Sequence, residues 1–284
     1  MRFGFLRLPE TGVQSRLDGR ITYRHLVGVG MAWLVLLFVV PVGLLLFESL
    51  NFGGEGGVFL NYRNALSGVW LMTLARTFYY ALLTTVACLV LGYAFSYYVA
   101  FKTERRIVFL ALVALPLWIA IIIRYFGVAL FFLPTGPFVG TFGSDFGILF
   151  ATPGVIIGLT SALLPFAILP IYNSLRSIDE EMIHASRVLG ASQTRTVREV
   201  IFPMSLSGVV AATLFVYILA AGSFLAPAIL GGSGNFMMAN VIESTFGYNT
   251  DFGAALAVVF TVSLLILVVA FNKYVNIAEV LGDL

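Results

Sequence analysis

The stretch SIDEEMIHASRVLGASQTRTVREVIFPMSL, residues 177–206, separates two apolar runs near 150–175 and 207–231. Its 30 residues are too many to be left as a bare connection, since loops beyond about 12–15 residues without secondary structure are uncommon. Ser177 and Asp179 are both placed to cap a helix, and Ser177 with Glu180 has the spacing of a capping box. Ile178, Met182, Ala185 and Leu189 then recur at helical spacing, which predicts one apolar face on a helix from about Ile178 to Leu189. Gly190 suits a helix C-terminus, and Ser192 is placed to cap a second short helix that stops at Pro203. The reading is a helix–glycine–helix elbow lying across a membrane surface. Its small residues Ala185, Ser186, Gly190 and Ala191 leave room for another protein to come close.

Outward from this elbow the chain is apolar. It is 60% hydrophobic and only 11% charged, where a soluble domain carries about 25% charged residues. A span needs about 20 mainly apolar residues. Runs of that kind lie near 26–49, 77–101, 107–134, 150–175, 207–231 and 252–274. The fold class is therefore an all-α membrane protein of about six transmembrane helices, with the elbow between the fourth and fifth. The third run contains Pro116 and Arg124 and is expected to be kinked or partly irregular. Gly222, Pro227, Gly231 and Gly232 crowd the outer end of the fifth. The chain divides into an N-terminal arm (1–25), a transmembrane region (26–275, with the loop 177–206) and a tail (276–284). The first run is too long for a signal-peptide core and reads as an uncleaved span.

Orientation follows from where the cations fall. The N-terminal arm has Arg2, Arg7, Arg16, Arg20 and Arg24, and the second-to-third loop has Lys102, Arg105 and Arg106. The elbow region has Arg176, Arg187, Arg195 and Arg198, and the far end has Lys273. The other side has Arg63, with Arg76 at a boundary, and neither 135–149 nor 232–251 holds a Lys or Arg. Both termini are expected in the cytoplasm.

Several kinds of chemistry find little support. A formal net charge of +2 does not point to nucleic acid. One cysteine, Cys88, inside an apolar run reads as a packed thiol, and His25 and His184 lie far apart without metal-site spacing. The two lysines, Lys102 and Lys273, lie outside any glycine-rich phosphate loop, so no nucleotide site is expected here. Gly154 and Gly158 form a GxxxG pair whose expected role is helix packing. No internal repeat is visible, so six spans read as half of a pore.

The run His184-Ala185-Ser186-Arg187-Val188-Leu189-Gly190-Ala191-Ser192, closing with Val200-Ile201-Phe202-Pro203, resembles the EAA loop of ABC importer permeases, whose membrane domain is the MetI-like fold. Gly190 and Pro203 are in register with that motif. His184 and Ser186 replace its Glu and second Ala, and Phe202 replaces its Leu. Residues 164–175, 224–232 and Ile123-Arg124-Tyr125 are similar to the spermidine/putrescine-type subgroup, and the likeness covers roughly 70–275. The resemblance implies a multi-pass subunit of the bacterial cytoplasmic (inner) membrane that imports a small polar solute by alternating access. A polyamine or related cation is one solute class it implies. The implied partners are two ABC ATPase subunits carrying ATP and magnesium, a second permease or second copy, and an extracytoplasmic solute-binding protein. It assigns coupling to the ATPase to Glu181, His184, Ala185, Ser186, Leu189, Gly190, Ala191 and Pro203.

Candidate solute-path residues are Arg124, Tyr125, Trp118, Tyr217, Ser223 and Phe224. A charge such as Arg124 inside a span should face the bundle interior, water or a partner, either as a structural pairing or on the path. For a cationic solute, carboxylates and aromatic faces are expected. The acidic residues Glu48, Asp145, Glu243 and Asp251 lie instead at outer ends. The alternative is an ion-gradient-driven secondary transporter or channel subunit, which predicts deep acids or matched broken helices. An intramembrane hydrolase would need a Ser–His pair that the histidine positions do not provide.

Overall fold

The computed structural model describes residues 23–50, 57–144 and 146–275. The arginines before Tyr23, Asp145 and the tail 276–284 lie outside the described residues. Helix α1 (Tyr23–Glu48), apolar and with Pro41 inside it, belongs to a unit of its own ending at Glu48. The second unit contains α2 (Leu60–Ala65), α3 (Gly68–Phe101), α4 (Arg106–Ala114), α5 (Ile121–Phe132), α6 (Pro137–Phe142) and α7 (Thr152–Arg176). It continues with α8 (Glu180–Val188), α9 (Gln193–Thr196), α10 (Phe202–Met204), α11 (Leu206–Ala221), α12 (Leu225–Leu230), α13 (Met238–Phe246) and α14 (Thr250–Val275). Among the described residues five helices are long and apolar enough to cross a membrane, or six if the bent pair leading into α11 is one span.

The centre is the packing of α3, α7 and α11. Apolar burial does little to draw helices together in lipid, so close approach and interhelical hydrogen bonds carry the association. A Cβ on Gly208 of α11 would sit 2.5 Å from both the Pro170 carbonyl oxygen and the Ser174 Cβ of α7. One on Gly92 of α3 would meet Ala167 Cβ at 3.1 Å. The Ser96 hydroxyl donates to the Ile168 carbonyl at 3.0 Å, and Ser174 and Ser207 share a hydrogen bond of 2.9 Å. Gly154 and Gly158 also serve packing, admitting Leu230 of α12 against α7.

Two expected spans are not single helices. The 107–134 run is α4, a 3-10 turn at Leu115–Trp118, extended backbone at Ile119 and Ala120, and then α5. Pro116 opens the turn, where its missing N–H costs nothing. The membrane-length segment begins after the break and runs from Ile121 to Phe142. The 207–231 run divides into α11 and α12 at Gly222–Phe224. The second span starts earlier than its apolar run, at Gly68.

One end of the bundle is tied by polar side chains. The Tyr80 hydroxyl donates to Asn235 Oδ1 at 2.8 Å and lies 2.7 Å from Thr152 Oγ1, while Arg76 donates to the Gly234 carbonyl at 2.6 Å. At the other end, the Tyr93 hydroxyl and Ser205 Oγ are 3.1 Å apart, and Ile178, Ile183 and Ile201 of the elbow join the central core.

Candidate functional site

The elbow's first arm is capped by Asp179, whose carboxylate accepts the Glu181 N–H at 2.9 Å. The expected Ser177–Glu180 capping box does not form. Ser177 instead ends α7, its hydroxyl donating to the Ser174 carbonyl at 2.8 Å, while Glu180 lies 3.8 Å from Arg176. The C-terminus is a Schellman turn: the Gly190 N–H donates to Arg187 O at 2.9 Å and the Ala191 N–H to Ser186 O at 3.1 Å. Gly190 has φ +86°, a conformation that side chains with a Cβ disfavour.

The second arm does not stop at Pro203. It runs from the Ser192 cap through α9, a π-helical turn at Val197–Ile201 and α10, and breaks at Ser205. The wider turn lies just before Pro203, which cannot donate a helical hydrogen bond. The direction then changes by 63° into α11.

The expected apolar face is also divided. Ile178 precedes α8 and is buried, and Ile183 is the inward side chain of that helix. Met182, Val188 and Leu189 are 51%, 87% and 86% exposed, and Ala185 and Glu181 are exposed with them. At about 100° per residue these share the side of α8 opposite Ile183. Of the predicted coupling residues, Glu181, Ala185 and Leu189 therefore face outward together. Gly190 and Ala191 form the hinge, and Pro203 is exposed on the second arm. Ser186 works inside the elbow, with its hydroxyl 3.1 Å from Thr196 Oγ1. His184 lines a small polar cavity beneath the elbow. Val188 was missed by the sequence reading, although its spacing from Ala185 was the available signal.

A second site lies where the broken spans meet. Leu117 and Ile121, on either side of the first break, and Ser223, Phe224 and Leu225, at the second, line a cavity of about 570 Å³. Non-helical backbone at membrane depth is tolerated where it borders such a cavity. The second break is held from α13, where Asn240 Nδ2 donates to the Phe224 carbonyl at 2.8 Å. Arg124 lines the cavity, and its Nη1 donates to the Ala162 carbonyl of α7 at 3.2 Å. Its Nε is closed off from solvent without a partner among the described residues. Tyr125 is buried, with its hydroxyl beside Ser223. Four predicted path residues thus converge, while two do not: Trp118 is 88% exposed and away from the cavity, and Tyr217 stacks on Phe78 at 6.4 Å beside a separate apolar cleft. Leu163 and Phe166 of α7 and Leu219 of α11 also line it. No carboxylate is among the described residues lining it.

Over 247 residues the chain is 32% identical to the spermidine/putrescine transport system permease protein PotB of Escherichia coli (strain K12), covering 82% of this chain and 90% of that protein. To the protein of the same name in Haemophilus influenzae it is 30% identical over 269 residues, covering 88% and 94%. The fold matches a chain of the bacterial alginate ABC transporter solved with an alginate-pentasaccharide-bound periplasmic protein, with a TM-score of 0.73 at 16% identity and coverage of 92% and 96%. Residues 104–277, which include both broken spans and the whole elbow, match the binding-protein-dependent transport system inner membrane components, and the chain belongs to that family.

Proposed function

We propose that this chain is the membrane-spanning permease subunit of an ATP-driven importer, with separate ATPase subunits docking on the elbow. The observation that carries this reading is the outward face formed by Met182, Ala185, Val188 and Leu189, apolar yet on the side that the cations mark as cytoplasmic. A contiguous apolar face in water calls for a protein partner. The inward isoleucines fasten the same elbow to α3, α7 and α11. Movement imposed on its outer face therefore reaches the helices that wall the cavity, as alternating access requires.

The partners are two ATPase subunits carrying ATP and magnesium, a second permease or second copy of this chain, and an extracytoplasmic binding protein. The solute is small and polar. The names of the two PotB relatives favour a polyamine. The cavity contributes aromatic faces and hydroxyls rather than acids, so selection for positive charge rests with the binding protein.

The test is uptake into proteoliposomes containing the chain, its partner permease and the ATPase. Leu189→Asp and Ala185→Arg should each reduce ATP-driven uptake by at least about tenfold, because central apolar contacts dominate an interface, while the chain stays inserted. Undiminished uptake by both variants, or uptake by this chain alone without ATP, would overturn the reading.

A further inference from the structure

Beneath the elbow, on the side of α8 opposite its docking face, lies a polar cavity of about 160 Å³. It is walled by the end of α3, the start of α4 and the inner side of α8. Lys102, Arg106, Arg187 and His184 line it, and the only carboxylate among the described lining residues, Glu180, lies 3.8 Å from Arg176. The Arg106 Nε is shut off from solvent and has no hydrogen-bond partner among the described residues. Three basic side chains, Lys102, Arg106 and Arg187, thus converge on a space where Glu180 is the one carboxylate among the described lining residues.

The surroundings identify the level in the membrane. Tyr97 also lines the cavity, and tyrosine, apolar in its ring and polar at its hydroxyl, is favoured at the membrane–water boundary. Ile107 and Val108, one and two residues after Arg106, are 83% and 64% exposed, so the apolar surface of α4 begins at the cavity's rim. An ATPase seated on Met182, Ala185, Val188 and Leu189 would approach from the opposite side of α8. The membrane side remains open to a ligand that brings an anion on an apolar tail.

We propose that this cavity binds the phosphate of an anionic phospholipid headgroup from the cytoplasmic leaflet, with Arg106 and Arg187 as its main ligands. Basic pockets between spans on the cytoplasmic side are suited to such headgroups. A lipid held there would wedge between α3, α4 and the elbow and make the elbow's seating depend on membrane composition. The proposal goes beyond the transport reading and is tested without transport.

The full-length chain is placed in nanodiscs of phosphatidylcholine with or without phosphatidylglycerol, and co-purifying lipid is quantified by mass spectrometry after mild detergent extraction. Wild type should retain phosphatidylglycerol. Arg106→Gln/Arg187→Gln should lower retention by about tenfold, since each basic residue near the surface contributes several-fold in affinity. Arg106→Lys/Arg187→Lys should keep most of it, and the exposed pair Arg195→Gln/Arg198→Gln should retain as wild type does. Burial of Cys88 against a maleimide checks that each variant is folded. Equal retention by the Arg106→Gln/Arg187→Gln protein overturns the proposal. So does saturable binding of labelled inorganic phosphate to wild type in phosphatidylcholine alone, which makes the site one for a soluble anion.

Discussion

Gly190 separates two explanations that the sequence alone leaves joined. A small residue in a docking loop invites the view that size matters because a partner must approach. A Cβ at this position would meet nothing within 4 Å of its own chain, whereas the backbone stands at φ +86° and closes a Schellman turn. The constraint within this chain is conformational, costing about 1–2 kcal/mol for a residue with a Cβ. Asparagine tolerates the left-handed region and valine does not. Gly190→Asn should therefore keep most ATP-driven uptake, while Gly190→Val should lose it and show faster amide exchange across Glu180–Leu189. Equal behaviour of the two variants would return the explanation to steric approach. Arg124 was also legible as a residue, since a charge in an apolar run needs a partner. Its acceptor, the Ala162 carbonyl, was not legible, because a backbone oxygen leaves no mark in sequence.

At the scale of elements, hydropathy located the spans and could not tell a proline that breaks a helix from one that does not. Pro165 and Pro170 stay inside α7, while Pro116 starts a turn that ends α4. All sit in apolar runs of similar composition. What differs is the neighbouring packing: α7 is gripped along its length by α3 and α11. Helical spacing likewise found an apolar stripe on α8 but could not say that the buried side belonged to Ile183 and the exposed side to Met182 and Leu189. The grip on α7 depends on small residues. Gly208→Val would force a side chain onto the Pro170 carbonyl and Ser174 and should destabilise the bundle by at least about 1–3 kcal/mol. The variant should melt earlier in detergent, and Cys88, fully buried in the central core, should react faster with a maleimide. Wild-type melting and labelling would mean that α7 and α11 do not meet as closely as Gly208 requires.

For the whole molecule, side follows from charge, and side decides which partner reaches which surface. The end that carries the elbow holds Lys102, Arg105, Arg106, Arg187, Arg195 and Arg198, whereas the loops joining α6 to α7 and α12 to α14 hold none. The polar ties divide in the same way: Tyr80, Thr152 and Asn235 fasten one end, while Tyr93 and Ser205 meet at the other. Under the proposed function, with the positive end cytoplasmic, the apolar face of α8 would meet an ATPase and the α13–α14 turn would face the binding protein. Cysteine labelling decides the matter cleanly, because native Cys88 is buried and gives a silent background. Leu189 and Tyr248 are 86% and 73% exposed at opposite ends, so each can be replaced by cysteine without opening the core. A membrane-impermeant maleimide should label Tyr248→Cys and spare Leu189→Cys on intact spheroplasts, and do the reverse on inverted vesicles. The opposite pattern would place the elbow outside the cell, where no ATP is available, and would remove the coupling role from α8 together with the cytoplasmic-leaflet lipid site beneath it.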